Sequence, residues 1–289
     1  MHTHPSFIFF GTSEFSVVVL NTLKQKGLLP IALVTTPDKP QGRKMVLTPP
    51  LTKVWAHEHS IPVHQFEKLN DDAVAELKKI GADLYIVASY GKIIPQKVLD
   101  IPAKGALNVH PSLLPLYRGA SPLQSSILAD DANTGVTIIK MDALMDHGPI
   151  VAVKEVAIDP WPIGVLELEQ KLATIGGEIL ADSIPGYIDG SIVPEVQDEA
   201  RATCTRKITK EDGLISIDES RSPEEQYADF LKVKAFQGWP GTYFFVERHG
   251  TKIRVKVIDA DFIEGQLVPT RVVPEGKKEM RYEDFILGL

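Results

Sequence analysis

The chain has 289 residues, 44% of them hydrophobic and 24% charged, with a formal net charge of −7 and one cysteine. That length and apolar content support two packed domains, or one large one, and exclude disordered, collagen-like and low-complexity classes. A lone Cys204 excludes an internal disulfide and a thiolate metal cluster, and the negative charge excludes wholesale coating of nucleic acid, though not a local basic patch.

The first apolar run, "FIFF", is far shorter than the ~18 residues of a membrane span, so neither a span nor a secretory signal is expected. With the single thiol this suggests a reducing, cytoplasmic setting. "SFIFFGTSEFSVVVLNTLKQKG" reads as a buried strand, a tight turn at Gly11 and a helix N-capped near Ser13, with Val17, Leu20 and Leu23 at helical spacing. "PIALVTT" is a second strand, "DDAVAELKKIGADLYIVASYGKIIP" a helix followed by a strand, and "KGALNVH" another strand. Strands that are apolar throughout, alternating with helices, predict an α/β fold with a doubly wound, mostly parallel sheet. The turn "GTSEFS" is not G-x-G-x-x-G, so the dinucleotide fingerprint is absent.

A long helical stretch from Ile163 to Tyr187 closes the first domain, placed at residues 1–189. Residues 190–203 read as a polar, extended linker. Residues 204–289 form a smaller β-rich domain: a short helix near Pro223 to Phe236, then "GTYFFVERHGTKIRVKVIDADF" with a turn at His249-Gly250.

The stretch "NVHPSLLP" places Asn108, His110 and Ser112 on alternate residues at a strand end, where side chains at i and i+2 share a face. Parallel sheets bind ligands beyond the carboxyl ends of their strands, which sets His110 apart from His2, His4, His57, His59 and His249 in polar or terminal surroundings. In "MDALMDHGPI", Asp142 or Asp146 could face His110, and a carboxylate beside an imidazole fixes its tautomer for proton transfer. Asn108 would add a neutral donor for a developing oxyanion, which together describes acyl transfer without a protein nucleophile. A Ser112 triad lacks the G-x-S-x-G elbow, and a metal site from His110, Asp146 and His147 lacks an H-E-x-x-H or cysteine companion, so no metal is expected. The Leu114-Pro115 bond, in a tight turn, is expected to be cis.

"NVHPSLLPLYRGASPLQ" followed by "MDALMDHGPI" resembles the folate-dependent formyltransferases, with the family's Asn, His and Asp falling on Asn108, His110 and Asp146. "TTPDKPQGRKMVLTPPLTKVWA", "YRGASPLQ" and "KAFQGWPGTYF" narrow the likeness to the branch that acts on methionyl-tRNA. The resemblance implies a Rossmann-like catalytic domain, a C-terminal domain like an oligonucleotide-binding fold, 10-formyltetrahydrofolate as formyl donor and initiator methionyl-tRNA as acceptor. It implies folate contacts at Ser112, Leu113, Leu114 and Pro115, and a pterin pocket lined by "YGKIIP", with Tyr90, Gly91 and Ile93.

Between Pro37 and Lys53, Lys39, Arg43, Lys44 and Lys53 concentrate positive charge in a flexible basic finger, with Arg43 matching the family's tRNA-contacting arginine. Met45 and Val46 stand where relatives tend to be more basic. The tail "QLVPTRVVPEGKKEMRYEDF" offers fewer strands than a closed barrel needs, so a reduced second domain is expected. The protein is expected to act as a monomer. Two other readings are an N-formyltransferase acting on an amino sugar nucleotide, and a non-enzymatic folate- or RNA-binding relative. A sugar nucleotide has no acceptor stem for the basic loop to grip, and an intact Asn-His-Asp set argues for catalysis.

Overall fold

In the computed structural model, which describes residues 5–42, 45–248 and 250–288, the continuous apolar runs become strands buried on both faces. β1 (Phe7–Gly11) is buried throughout and turns at Gly11 into α1 (Glu14–Gln25). A Cβ at Gly11 would lie 2.6 Å from the Phe9 ring and 2.7 Å from Ser16, so the turn requires glycine. The Ser16 hydroxyl accepts from the amides of Thr12 and Ser13 and donates to Ala88 O, anchoring the helix start.

β2 (Ala32–Thr35) is followed by an antiparallel pair, β3 (Lys39–Gln41) and β4 (Val46–Thr48), and by α2 (Leu51–Glu58). Next come β5 (Val63–Gln65), α3 (Asp71–Ile80), β6 (Leu84–Ala88), the single turn α4 (Gln96–Leu99) and β7 (Ala106–His110). α5 (Pro122–Leu128), β8 (Asn133–Lys140), β9 (Ile150–Ala157) and α6 (Val165–Asp189) complete this part. The Asn70 side chain accepts from Ala73 N to cap α3, and Gly81, left-handed at φ +73°, ends it.

The seven strands lie in the order β5-β2-β1-β6-β7-β8-β9. Pairing is parallel from β5 to β7 and antiparallel between β7 and β8. Strand order reverses at β1 and β6, the kind of position where doubly wound sheets take ligands. There the Thr12 amide donates to Ser89 O at 3.2 Å and its hydroxyl to Tyr90 O at 2.9 Å. α6 covers β7 because Gly176 leaves room: a Cβ would sit 2.6 Å from Val109.

Contacts divide the chain into two units: Met1–Gly119 with Gly135–Glu155 and Glu169–Cys204, and Ala120–Thr134 with Val156–Leu168 and Thr205–Leu289. Within the second, the Trp161 indole and the Tyr227 hydroxyl both donate to the Asp130 carboxylate, at 2.7 and 3.0 Å, tying its three segments together. α7 (Pro223–Ala235), expected near Pro223 to Phe236, starts with a reciprocal Ser222–Glu225 capping box. β10 (Thr242–Arg248), β11 (Thr251–Ile263), β12 (Gln266–Pro274) and β13 (Met280–Arg281) form an antiparallel sheet in that order, followed by α8 (Tyr282–Leu287). Arg248 pairs with Thr251 across the expected turn, and His249 lies outside the described residues. Phe230 and Val233 of α7 pack on Phe244, Val255, Val257, Leu267 and Val272 to form the core.

Buried Asp229 accepts from the Ser216 amide at 3.1 Å and pairs with Lys232 at 2.8 Å and with Arg221. Burial alone would raise its carboxyl, but these partners outweigh that and hold it below the usual carboxylate range. Among the described residues no helix is long and apolar enough to cross a membrane.

Candidate active site

β7 delivers two polar side chains to one face because they are two residues apart: Asn108 and His110 are 9% and 4% exposed, with apolar Leu107 and Val109 buried between and beside them. The third group is Asp146, from the loop between β8 and β9. Its Oδ1 lies 3.3 Å from Asn108 Nδ2, the donor, and 3.5 Å from His110 Nδ1. Its Oδ2 accepts from the Gly119 amide at 2.9 Å. His110 Nε2 faces the carbonyl of Tyr117 at 3.1 Å, so both ring nitrogens face acceptors.

The choice between the two aspartates is settled by this geometry. Asp142 pairs with His147 Nδ1 at 2.7 Å, while His147 Nε2 lies 3.5 Å from Glu199. Among the described residues no three His, Cys, Asp or Glu side chains gather as a metal would require. Gly148 fixes the loop's return, since a Cβ there would lie 1.8 Å from Lys140 O.

In the turn after β7, Ser112, Leu114 and Pro115 are buried and Leu113 is half-buried. The Ser112 hydroxyl donates to Leu116 O at 2.7 Å, and Thr137 Oγ1 accepts from Leu114 N and donates to Ser112 O. Ser112 is therefore committed to the turn. The Leu114-Pro115 bond is cis, as the sequence reading expects. Tyr90 packs edge-on against Phe10 with ring centroids 5.5 Å apart, and its buried hydroxyl has no hydrogen-bond partner among the described residues. Burial pushes that phenol up to about 12. Gly91 is left-handed at φ +77°, and Ile93 is 81% exposed.

Of the basic finger, Arg43 and Lys44 lie outside the described residues. Lys39 is exposed on β3. Lys53 sits on α2, where it donates to both oxygens of Asp38 at 2.9 Å and to Gln65 Oε1, so Asp38 compensates its charge. The β3–β4 pairing in this finger was not legible from its prolines and charges.

Residues 6–184 match the family described as "Formyl transferase". The methionyl-tRNA formyltransferase of Bacillus subtilis is 37% identical over 97% of this chain and 94% of its own, and that of Chloroflexus aurantiacus 39% identical over 92% and 84%. The chain belongs to the methionyl-tRNA formyltransferase family. An N-formyltransferase from Helicobacter canadensis, solved in complex with folinic acid and dTDP-3-aminofucose, shares the fold with a TM-score of 0.63 at 16% identity, over 90% of this chain and 88% of that one.

Sequence reasoning missed two buried side chains behind the Asn108–His110–Asp146 cluster, Arg118 and Gln197, which are 7% and 4% exposed. Arg118 lies in the motif "YRGASPLQ", where an arginine in an apolar turn was the available signal; Gln197, in a polar extended segment, carried none.

Proposed function

We propose that the protein transfers the formyl group of 10-formyltetrahydrofolate to the α-amine of initiator methionyl-tRNA. The observation that carries this reading is the convergence of Asn108, His110 and Asp146 at the carboxyl-terminal half of β7, in a chain 37% identical to a methionyl-tRNA formyltransferase. The amine attacks the formyl carbon, a carbon–nitrogen bond forms, and the bond from that carbon to N10 of the folate breaks. Asn108 Nδ2 gives one N–H to Asp146 Oδ1 and has a second, which would donate to the carbonyl oxygen of the formyl group as it becomes an oxyanion. The Asp146–His110 pair takes up the proton shed by the amine and returns one to N10.

The folate would lie against the turn Ser112–Pro115 and the segment from Tyr90 to Ile93. Since the Tyr90 and Ser112 side chains are buried, Tyr90, Gly91 and Ser112 would contribute main chain, and Leu113 and Ile93 side-chain surface. In the domain scheme, residues 1–189 carry catalysis, 190–203 link, and 204–289 bind tRNA together with the basic finger. One face of β10 and β11 supports the last assignment: Arg254 stacks 3.7 Å from the Tyr243 ring centroid and Lys252 sits 4.4 Å from that of Phe245. Aromatic rings interleaved with cations suit stacking on bases and contact with phosphates. An amino sugar nucleotide as acceptor is not favoured, because likeness to sugar enzymes such as that of Helicobacter canadensis is one of fold at 16% identity.

The test is to incubate the protein with 10-formyltetrahydrofolate and charged initiator tRNA. Formyl-methionine on the tRNA is expected; none, from a protein that binds both substrates, would refute the reading.

A further inference from the structure

Asp146 holds a backbone conformation that a side chain rarely adopts, φ +51°, so contacts from elsewhere must keep it there. Its main-chain carbonyl accepts from Gln197 Nε2 at 2.9 Å, and the same nitrogen donates to Gly148 O at 2.8 Å. A primary amide has two N–H groups, so both bonds can be made in full. Gln197 Oε1 accepts from Arg118 Nε at 3.0 Å and from Nη2 at 2.8 Å. The amide thus has all its hydrogen-bonding positions filled.

Arg118 is held in turn. Its Nη1 and Nη2 donate to the two oxygens of Glu199 at 3.0 and 2.7 Å, and its amide to Thr203 O at 2.9 Å. The guanidinium's hydrogen bonds hold the Glu199 carboxyl below its usual range. The residues on either side of Arg118 are those that touch the site: Tyr117 O faces His110, and the Gly119 amide holds Asp146. One buried arginine–glutamine pair therefore fixes the main chain on both sides of the His110–Asp146 contact.

We propose that Gln197, locked by Arg118, is a positioning residue for formyl transfer: it holds the main chain at Asp146 and Gly148 so that the carboxylate stays within reach of His110 and Asn108. This rests on the reading that Asp146 and His110 act in the reaction. A segment read from sequence as a linker thereby supplies the support on which the catalytic loop rests.

The variant Gln197→Met keeps the side chain's length and removes all four hydrogen bonds. In the full-length protein kcat for formyl transfer is expected to fall ~10–100-fold, as small misplacements of reacting groups do, with KM for folate and for tRNA nearly unchanged. In an Asp146→Ala background the same change should cost little more, because Gln197 works through Asp146. NMR of the His110 ring should show changed resonances and a changed pH dependence in Gln197→Met. Should that protein not fold, Gln197→Glu, which keeps the acceptor for Arg118 but loses both donors, is read by the same measurements. An unchanged kcat with an unchanged His110 spectrum overturns the proposal, as does a loss confined to KM or melting temperature. If wild-type protein transfers no formyl group, the functional reading has failed, and the His110 spectrum still decides whether Gln197 sets the pair.

Discussion

Asn108 and His110 ride on a strand, whereas Asp146 rides on a loop. On β7 the period of two sends Asn108 and His110 to one face, and ladders to β6 and β8 hold the main chain on either side. The Asp142–Gly148 loop has no such ladder at Asp146, so its geometry depends on bonds to Gly119 and Gln197, 27 and 51 positions away. A strand thus gives precision through its own periodicity, and a loop borrows it from its surroundings. Changes on the strand should cost stability in proportion to buried volume; changes on the loop should cost rate with little cost in stability.

The sharpest break of this contrast is Asp146→Asn. Asparagine tolerates the left-handed backbone and keeps the volume, but it lacks the negative charge, so single-turnover formyl transfer should slow by ~10²–10⁴-fold while thermal unfolding barely moves. A variant that melts early yet transfers at the wild-type rate would show Asp146 to be only a turn former. Next is Leu107→Ala, which opens a void at a fully buried strand position and should cost about 2–5 kcal/mol of stability by denaturant unfolding. Its single-turnover rate, measured where it remains folded, should stay near wild type; a large rate loss would mean that the strand transmits strain to the site.

A smaller effect is expected at the basic finger. Arg43→Ala should lower kcat/KM for the tRNA by an amount equivalent to about 1–3 kcal/mol and leave folate affinity unchanged; equal losses for both substrates would contradict its assignment to tRNA.

An effect of similar size concerns Asp229, in the second unit, as a test that acid acts on packing there rather than on the site. Its folded carboxyl lies below the unfolded value of ~3.9, so its contribution is fully present above that pH and is lost as pH falls through the folded value. Melting temperature followed from pH 7 to pH 2 should therefore decline less steeply in Asp229→Asn than in wild type, from a lower starting point, with a difference of about 1–3 kcal/mol at neutral pH. Parallel curves would show that Asp229 is not coupled to Arg221 and Lys232 as described.

The sequence by itself determined whatever depends on local pattern. Apolar runs between turn residues gave β1, β2, β6 and β7, and alternation put Asn108 and His110 on one face. Only the tertiary structure decided what depends on distant partners. It chose Asp146 over Asp142, which pairs with His147; it turned Ser112 inward to Leu116 O; and it joined Arg118 to Gln197 across 79 positions. Periodicity specifies which way a side chain points from its own strand or helix, and carries no information on which loop will fold back to meet it. That meeting is fixed by buried donors and acceptors, each of which must find a partner once water is excluded, wherever in the chain that partner lies.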